Sequence, residues 1–220
     1  MTRPRRTILT DGLCRVTSVL CKDHEAVVTA EGTPYTVTPS DLEALGITGP
    51  CDITPETLDA LACASERLCC IKKAMDYLSY GDMPSRRLLS KLCKRFDKTL
   101  AESVVGLLKD RGYLDDTALA ARYADSFYHV RMWGPVRIKS ELCGRGFDSR
   151  TASEAAAAYE EKDHTENIMN LLEKKFGIPS LSSREQKARA FTYLYRYGYA
   201  SSDITDAISK IEQEEWSDGY

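Results

Sequence analysis

"KLCKRFDKTLAESVVGLL" (residues 91–108) is the stretch on which the fold turns. It holds the end of one helix, a basic residue, an aromatic, and then a polar stretch opening a helix with apolar periodicity. The same order returns in "ELCGRGFDSRTASEAAAAY" (141–159) and, more divergently, in "YLYRYGYASSDITDAISKI" (193–211). The aromatics Phe96, Phe147 and Tyr199 are 51 and 52 residues apart. A period near that length marks copies of one supersecondary unit. In the first copy Leu100, Val104, Leu107 and Leu108 make the stripe of a core-facing helix, and Ile204, Ile208 and Ile211 do the same in the third.

Each copy reads as three helices: 55–80, 85–95 and 98–111, then 116–132, 135–144 and 149–161, then 164–176, 183–197 and 202–215. The joint between the first two copies is "RGYLDD" (111–116). Gly112 suits a left-handed C-cap, Tyr113 and Leu114 fold back onto the core, and Asp115 or Asp116 caps the next helix. The sequence places no His or third acid beside the two carboxylates, so they read as punctuation, not as a metal site or acid–base pair.

Toward the N-terminus, "CRVTSVLC" (14–21), "EAVVTA" (25–30) and "PYTVTP" (34–39) are short, roughly alternating and rich in Val and Thr. They predict a small β-hairpin or meander that must pack on the helices that follow. "PSDLEALGI" predicts a short helix stopping at Gly46, and Thr54-Pro55 starts the first long helix. The expected fold is therefore mainly α. A β-rich region (1–52) precedes three-helix repeats over 53–113, 114–162 and 163–220, stacked as an elongated, curved array. The last repeat ends in the acidic tail "EQEEWSDGY".

The formal net charge is −3, but it is uneven. Residues 1–62 carry 5 Lys/Arg against 9 Asp/Glu, residues 63–160 carry 17 against 13, and residues 161–220 carry 8 against 11. A basic middle between acidic ends suits a polyanion-facing surface. No apolar run reaches the length of a membrane helix, and the basic start "MTRPRRTILTDG" lacks the apolar core of a signal peptide. The expectation is a soluble, cytoplasmic monomer. Eight cysteines without a CxxC pair read as reduced thiols, with Cys63, Cys69, Cys70, Cys93 and Cys143 acting as small apolar helix residues. His24, His129 and His164 lack zinc-ligand spacing, so no metal or cofactor is expected. No phosphate-binding loop, dinucleotide fingerprint, HExxH or GxSxG is present, and a nucleophilic Cys69-Cys70 has no nearby His. A non-catalytic role follows.

The candidate contact residues are basic. In "PSRRLLSKLCKRFDK", Leu88, Leu89, Leu92 and Phe96 face inward, while Arg87, Lys91, Lys94 and Arg95 recur on one outer face beside Arg86. Such a row suits phosphates or an acidic protein groove, although an ordinary solvated face has the same composition. "HVRMWGPVRIKSELCGRG" echoes it with Arg131, Arg137, Lys139 and Arg145 around Trp133. Trp133 there either stacks on a base or anchors an interface, or seals the turn between helices.

Taken together, "AMDYLSYGDMPSRRLLSKLCKRF" (74–96), "VVGLLKDRGYLDDTALAARYADSF" (104–127) and "WGPVRIKSELCGRGFD" (133–148) resemble the RecX regulatory proteins. The resemblance rests on Tyr77-Leu78-Ser79, on Gly112 to Asp116 with Ala121 and Tyr123, and on Gly134-Pro135 leading to Arg137-Ile138 and Glu141-Leu142. It implies a protein of tandem three-helix repeats that binds the RecA recombinase filament on single-stranded DNA and modulates, usually inhibits, it. The implied contacts are the basic residues just named, with no catalytic site to carry over. A sequence-tolerant nucleic-acid-binding module is the alternative. The β-rich N-terminal region lies outside the strongest resemblance.

Overall fold

The computed structural model describes residues 12–176 and 183–217, with 211–217 as backbone alone. Ile211 and the side chains of the acidic tail therefore lie outside the described part. Among the described residues are four strands and ten helices. Strands β1 (Cys14–Cys21), β2 (Ala26–Ala30) and β3 (Thr33–Val37) form the expected meander. After helix α1 (Pro39–Leu45), which ends on Gly46, a fourth strand β4 (Cys51–Ile53) returns to pair antiparallel with β1. The sheet order is β3-β2-β1-β4. Three residues, "CDI", are too few to show an alternation, so β4 is set by its pairing partner and escaped the sequence reading.

Alternate residues of β2 (Ala26, Val28 and Ala30) are buried, giving the sheet one apolar face. That face shares a core with Leu58 and Leu61 of helix α2 (Pro55–Ser79). Each such leucine contributes about 2 kcal/mol by leaving water. Helix α2 starts where expected, with the Thr54 hydroxyl accepting from the Thr57 N–H and Pro55 in the first turn.

The remaining helices are α3 (Ser85–Leu92), α4 (Lys98–Asp110), α5 (Asp116–His129), α6 (Pro135–Arg145), α7 (Ser149–Ala157), α8 (Thr165–Phe176), α9 (Arg184–Tyr197) and α10 (Ser201–Ser217). Helices α5 to α7 enclose Phe127, Trp133, Ile138, Leu142, Phe147 and Ala152. Helices α8 to α10 enclose Ile168, Leu172, Leu194, Tyr199 and Ile204. The fold is mainly α, with tandem three-helix repeats behind a small antiparallel sheet. By internal contacts the chain forms two compact units, residues 1–81 with 89–110, and residues 82–88 with 111–220. The division runs through α3, after Leu88.

Several details differ from the sequence reading: helices α5 and α7 end at His129 and Ala157, short of the expected 132 and 161, where the chain passes into turns. Helix α3 ends at Leu92, not at 95, because the Arg95 N–H bonds back to the Leu92 carbonyl in a tightening turn. Asp97, beyond that turn, accepts from the Thr99 N–H at 2.8 Å and opens α4. At the joint, Leu114 is buried but Tyr113 is 56% exposed. The chain bends at Tyr113 directly after Gly112 (φ +75°), leaving the Tyr113 side chain outside while Leu114 enters the core. Of the five helix-region cysteines, Cys70 is buried while Cys63, Cys69, Cys93 and Cys143 are exposed. Burial pushes the Cys70 thiol up to about 11, which keeps it unreactive.

Candidate functional site

The two carboxylates of "RGYLDD" divide the work. Asp115 caps α5 by accepting from the Ala118 N–H at 2.9 Å. Asp116 instead accepts from the Ser85 N–H at 2.8 Å and from the Ser85 hydroxyl. Ser85 is the first residue of α3, so a side chain 31 positions downstream supplies the cap and the negative charge that its N-terminus favours. Arg122, also on α5, pairs with Asp82 just ahead of α3. This anchoring fixes where Arg86 and Arg87 emerge, both exposed.

On the first unit, Lys91 is half-buried, its ammonium 4.7 Å from the centre of the Tyr77 ring. Lys73 approaches the same ring at 4.9 Å and pairs with Asp76 at 2.6 Å. Lys94 and Arg95 are exposed in the turn after α3. Arg95 lines a shallow groove of about 520 Å³ with Cys69, Lys72, Lys73, Asp76 and Phe96. The sequence reading treated α3 alone and so missed Lys72 and Lys73. Their signal was present in "IKKAMDYL" (71–78), where both lysines sit one helical turn from Asp76 and Tyr77.

On the second unit, the cations are interleaved with aromatic rings. Trp133 is buried (7% exposed) and lies 4.9 Å from Phe127, so it seals the α5–α6 turn. The Arg137 guanidinium lies 4.3 Å over Trp133 and 5.3 Å from Tyr197, and donates to the Arg196 carbonyl at 3.1 Å. Arg131 covers Trp133 at 5.0 Å and Phe127 at 5.7 Å. Arg145 covers Phe127 at 5.0 Å and Tyr123 at 4.9 Å, and pairs with Glu141 at 3.0 Å. Arg131, Arg137 and Arg145 thus form a ladder with Tyr123, Phe127, Trp133 and Tyr197. Flat guanidinium groups suit this packing, where a lysine would offer a point charge. Lys139 stands exposed beside the ladder's helix.

Glycines set the spacing of this region. The start of α6 lies against the end of α9: the Gly134 N–H donates to the Tyr197 carbonyl at 2.8 Å and the Val136 N–H to the Gly198 carbonyl at 3.2 Å. A Cβ on Gly134 would fall 2.3 Å from the Gly198 oxygen, and one on Gly198 would fall 2.4 Å from Arg137 Cβ. Gly198 also has φ +89°. A looser counterpart exists at α3, where Gly146 (φ +102°) would place a Cβ 3.6 Å from Arg87 Cβ. Arg87 and Arg137 occupy equivalent places, each packed on the glycine that ends a later helix.

Among the described residues no group of His, Cys, Asp or Glu is placed to hold a metal ion. Among them, too, no helix is long and apolar enough to cross a membrane. The arrangement can bind anions and flat rings through preset cations.

Residues 161–208 match the family described as RecX, third three-helix domain. The regulatory protein RecX of Xanthomonas axonopodis pv. citri strain 306 is 32% identical over 142 residues, covering 62% of this chain and 84% of that protein. The Clostridioides difficile strain 630 relative of the same name is 30% identical over 47% of this chain, and the match spans about half (49%) of its length. For Bacillus subtilis strain 168 the figures are 30% identity and 54% of the relative's length. Two solved structures share the fold. One, a crystal structure of regulatory protein RecX, gives a TM-score of 0.72 at 19% identity, covering 88% of this chain and all of that one. The other, RecX from Lactobacillus salivarius, gives 0.61 at 21% identity, covering 68% of this chain and 99% of that one. With a relative more than 30% identical matched over most of its length, the chain belongs to the RecX family of regulatory proteins.

Proposed function

We propose that this chain binds the RecA recombinase filament on single-stranded DNA and lowers its ATP hydrolysis and strand exchange without chemistry of its own. Family membership supports a regulatory role, and the arginine–aromatic ladder is the observation that carries a contact surface. Arg131, Arg137 and Arg145 are held against rings before any partner arrives, so little side-chain freedom is lost on binding. Arg86, Arg87, Lys91, Lys94 and Arg95 add steering charge, Lys139 extends it, and Trp133 acts through the arginines that cover it. Modest contacts from successive repeats (53–113, 114–162 and 163–220 in this reading) add up on a polymeric partner. The chain acts as a cytoplasmic monomer and needs no cofactor.

The test is RecA's DNA-dependent ATP hydrolysis with and without the protein. Inhibition at stoichiometric amounts supports the proposal, and an unchanged rate rejects it. The alternation of cations and rings also favours a second reading, a sequence-tolerant nucleic-acid-binding module. That reading requires tight binding to DNA alone, falling steeply with salt. Weak binding to bare DNA beside strong binding to the filament selects the regulator.

A further inference from the structure

The trios α5–α7 and α8–α10 enclose separate cores, and a buried histidine stands between them. His164, just ahead of α8, is 4% exposed. Its ring sits between Tyr128 of α5 and Tyr199 of the α9–α10 turn, with centres 5.8 and 5.3 Å away. Its Nδ1 shares a 3.2 Å hydrogen bond with the Tyr128 hydroxyl. Its Nε2 is the one buried side-chain nitrogen or oxygen among the described residues without a hydrogen-bond partner. The Asp203 carboxylate of α10 stands 3.6 Å from it, beyond hydrogen-bond reach, and its other oxygen accepts from the Ser202 hydroxyl at 3.1 Å.

The surrounding charges leave this seat fitted to a neutral imidazole. Asp163 accepts from Thr165 and pairs with Lys210 of α10 at 3.5 Å. Lys162 lies over the Tyr128 and Tyr159 rings at 5.1 and 4.4 Å, adding positive charge nearby. Glu161 and Asp206, in the adjoining pocket of about 260 Å³, and Glu166 of α8 are exposed, where water screens them. On α5, His129 is exposed and has its own partner, Asp125, at 3.4 Å. Adding a proton to His164 puts a donor on both ring nitrogens and buries a charge, with no acceptor within reach of Nε2. The same seat docks one trio on the other. Tyr199 meets the His164 ring edge-on, and its hydroxyl donates to the Met132 carbonyl at 2.8 Å, beside the Gly134 and Val136 backbone bonds.

We infer that His164 is an acid-operated latch: on protonation its ring leaves the seat between Tyr128 and Tyr199, and α8–α10 releases from α5 and α6 while α5–α7 stays folded. Release withdraws Tyr197 from Arg137, so acid dismantles one end of the arginine–aromatic ladder. Only the effect of that loss on a partner rests on the regulatory proposal. The test is native-state hydrogen exchange of the full-length protein between about pH 7.5 and about pH 5.5, corrected for the intrinsic rate, with an NMR titration of its histidines alongside. Protection of α8–α10, and of the Gly134 and Val136 amides, should fall toward acid by up to about tenfold, the limit for one histidine that titrates normally only when released. The interiors of α5 and α7 should change little. His164→Gln should remove the acid dependence and His129→Gln should keep it. Asp203→Asn, which takes away a carboxylate favouring the charged ring, should deepen it. Rising protection in acid, or a dependence lost in Asp203→Asn, would reveal a closing His164–Asp203 pair and overturn the latch. Equal losses in α5–α7, or a dependence that persists in His164→Gln, overturn it too. Should His164→Gln not fold, the wild-type titration decides: a His164 protonated without loss of α8–α10 protection rejects the latch. If exchange behaves as expected but wild type and His164→Gln inhibit RecA alike in acid, the latch stands and the ladder's regulatory role fails.

Discussion

Helices α3 and α6 occupy the same place in successive repeats yet carry their charge in opposite ways. Around α3 the cations are mostly exposed, and its start is held by one distant carboxylate, Asp116. At α6 the arginines are clamped between rings, and its start is held by the backbone of Gly198. The difference teaches that a repeat can conserve a helix's position while exchanging steering charge for preset charge. Exposed ammonium groups act at a distance and are screened by salt, whereas stacked guanidinium groups act on contact.

The sharpest way to break this comparison is at the two glycines. Gly198→Ala forces a Cβ into Arg137 at positive φ and should cost about 4 kcal/mol. Gly146→Ala meets Arg87 at ordinary contact distance, so it should cost about 1–2 kcal/mol from φ alone. Urea denaturation of both variants measures the gap, and equal losses would show the joints to be alike.

Trp133→Ala should destabilise by about 3–4 kcal/mol, since a large buried ring is lost and two guanidinium groups lose their platform. Met83, at the matching place before α3, is also buried, but it is a flexible thioether with no ring face for a guanidinium to cover. Met83→Ala should cost about 2–3 kcal/mol.

Binding separates the helices by chemistry. The triple Lys91/Lys94/Arg95→Glu variant should abolish most filament inhibition at low salt, and the wild-type inhibition should weaken as salt rises. Arg137→Lys keeps charge but loses the fork and the stacking. It should weaken inhibition by a few-fold with little change in salt dependence. Identical salt profiles for both variants would erase the distinction between steering and preset charge.

Acid supplies the gentlest test. His164 is buried, its Nδ1 3.2 Å from the Tyr128 hydroxyl and its ring 5.3 Å from Tyr199, whose own hydroxyl donates to the Met132 carbonyl beside α6. Burial lowers its pKa below the usual 6.5, opposed by Asp203, 3.6 Å away, and by Asp163, and reinforced by Lys162. Below 6.5 the unfolded chain therefore binds a proton that the folded chain resists, and stability falls as pH descends toward the folded value. His164→Gln should flatten that part of the pH–stability curve. An unchanged curve would show that His164 does not set it.

The helical period and the joint at residues 111–116 were legible because each repeats a local pattern of caps and apolar stripes, whereas the row Arg87, Lys91, Lys94 and Arg95, read as one helix face, is interrupted at Leu92, where α3 ends. What stayed hidden depends on partners far apart in sequence. No local rule reveals that Asp116 reaches Ser85, that Arg137 lies between Trp133 and Tyr197, or that β4 pairs with β1. Tyr113 was misread because a joint turns one of two adjacent apolar side chains outward, and pattern alone does not choose which.

The backbone bonds from Gly134 and Val136 to Tyr197 and Gly198 bear on cooperativity. The first amides of α6 have their acceptors on α9, so they exchange with solvent when α9 lets go, even while α6 stays coiled. In native-state hydrogen exchange these two amides should therefore report the opening free energy of α8 to α10, making that helical trio a foldon whose release is read out from its neighbour.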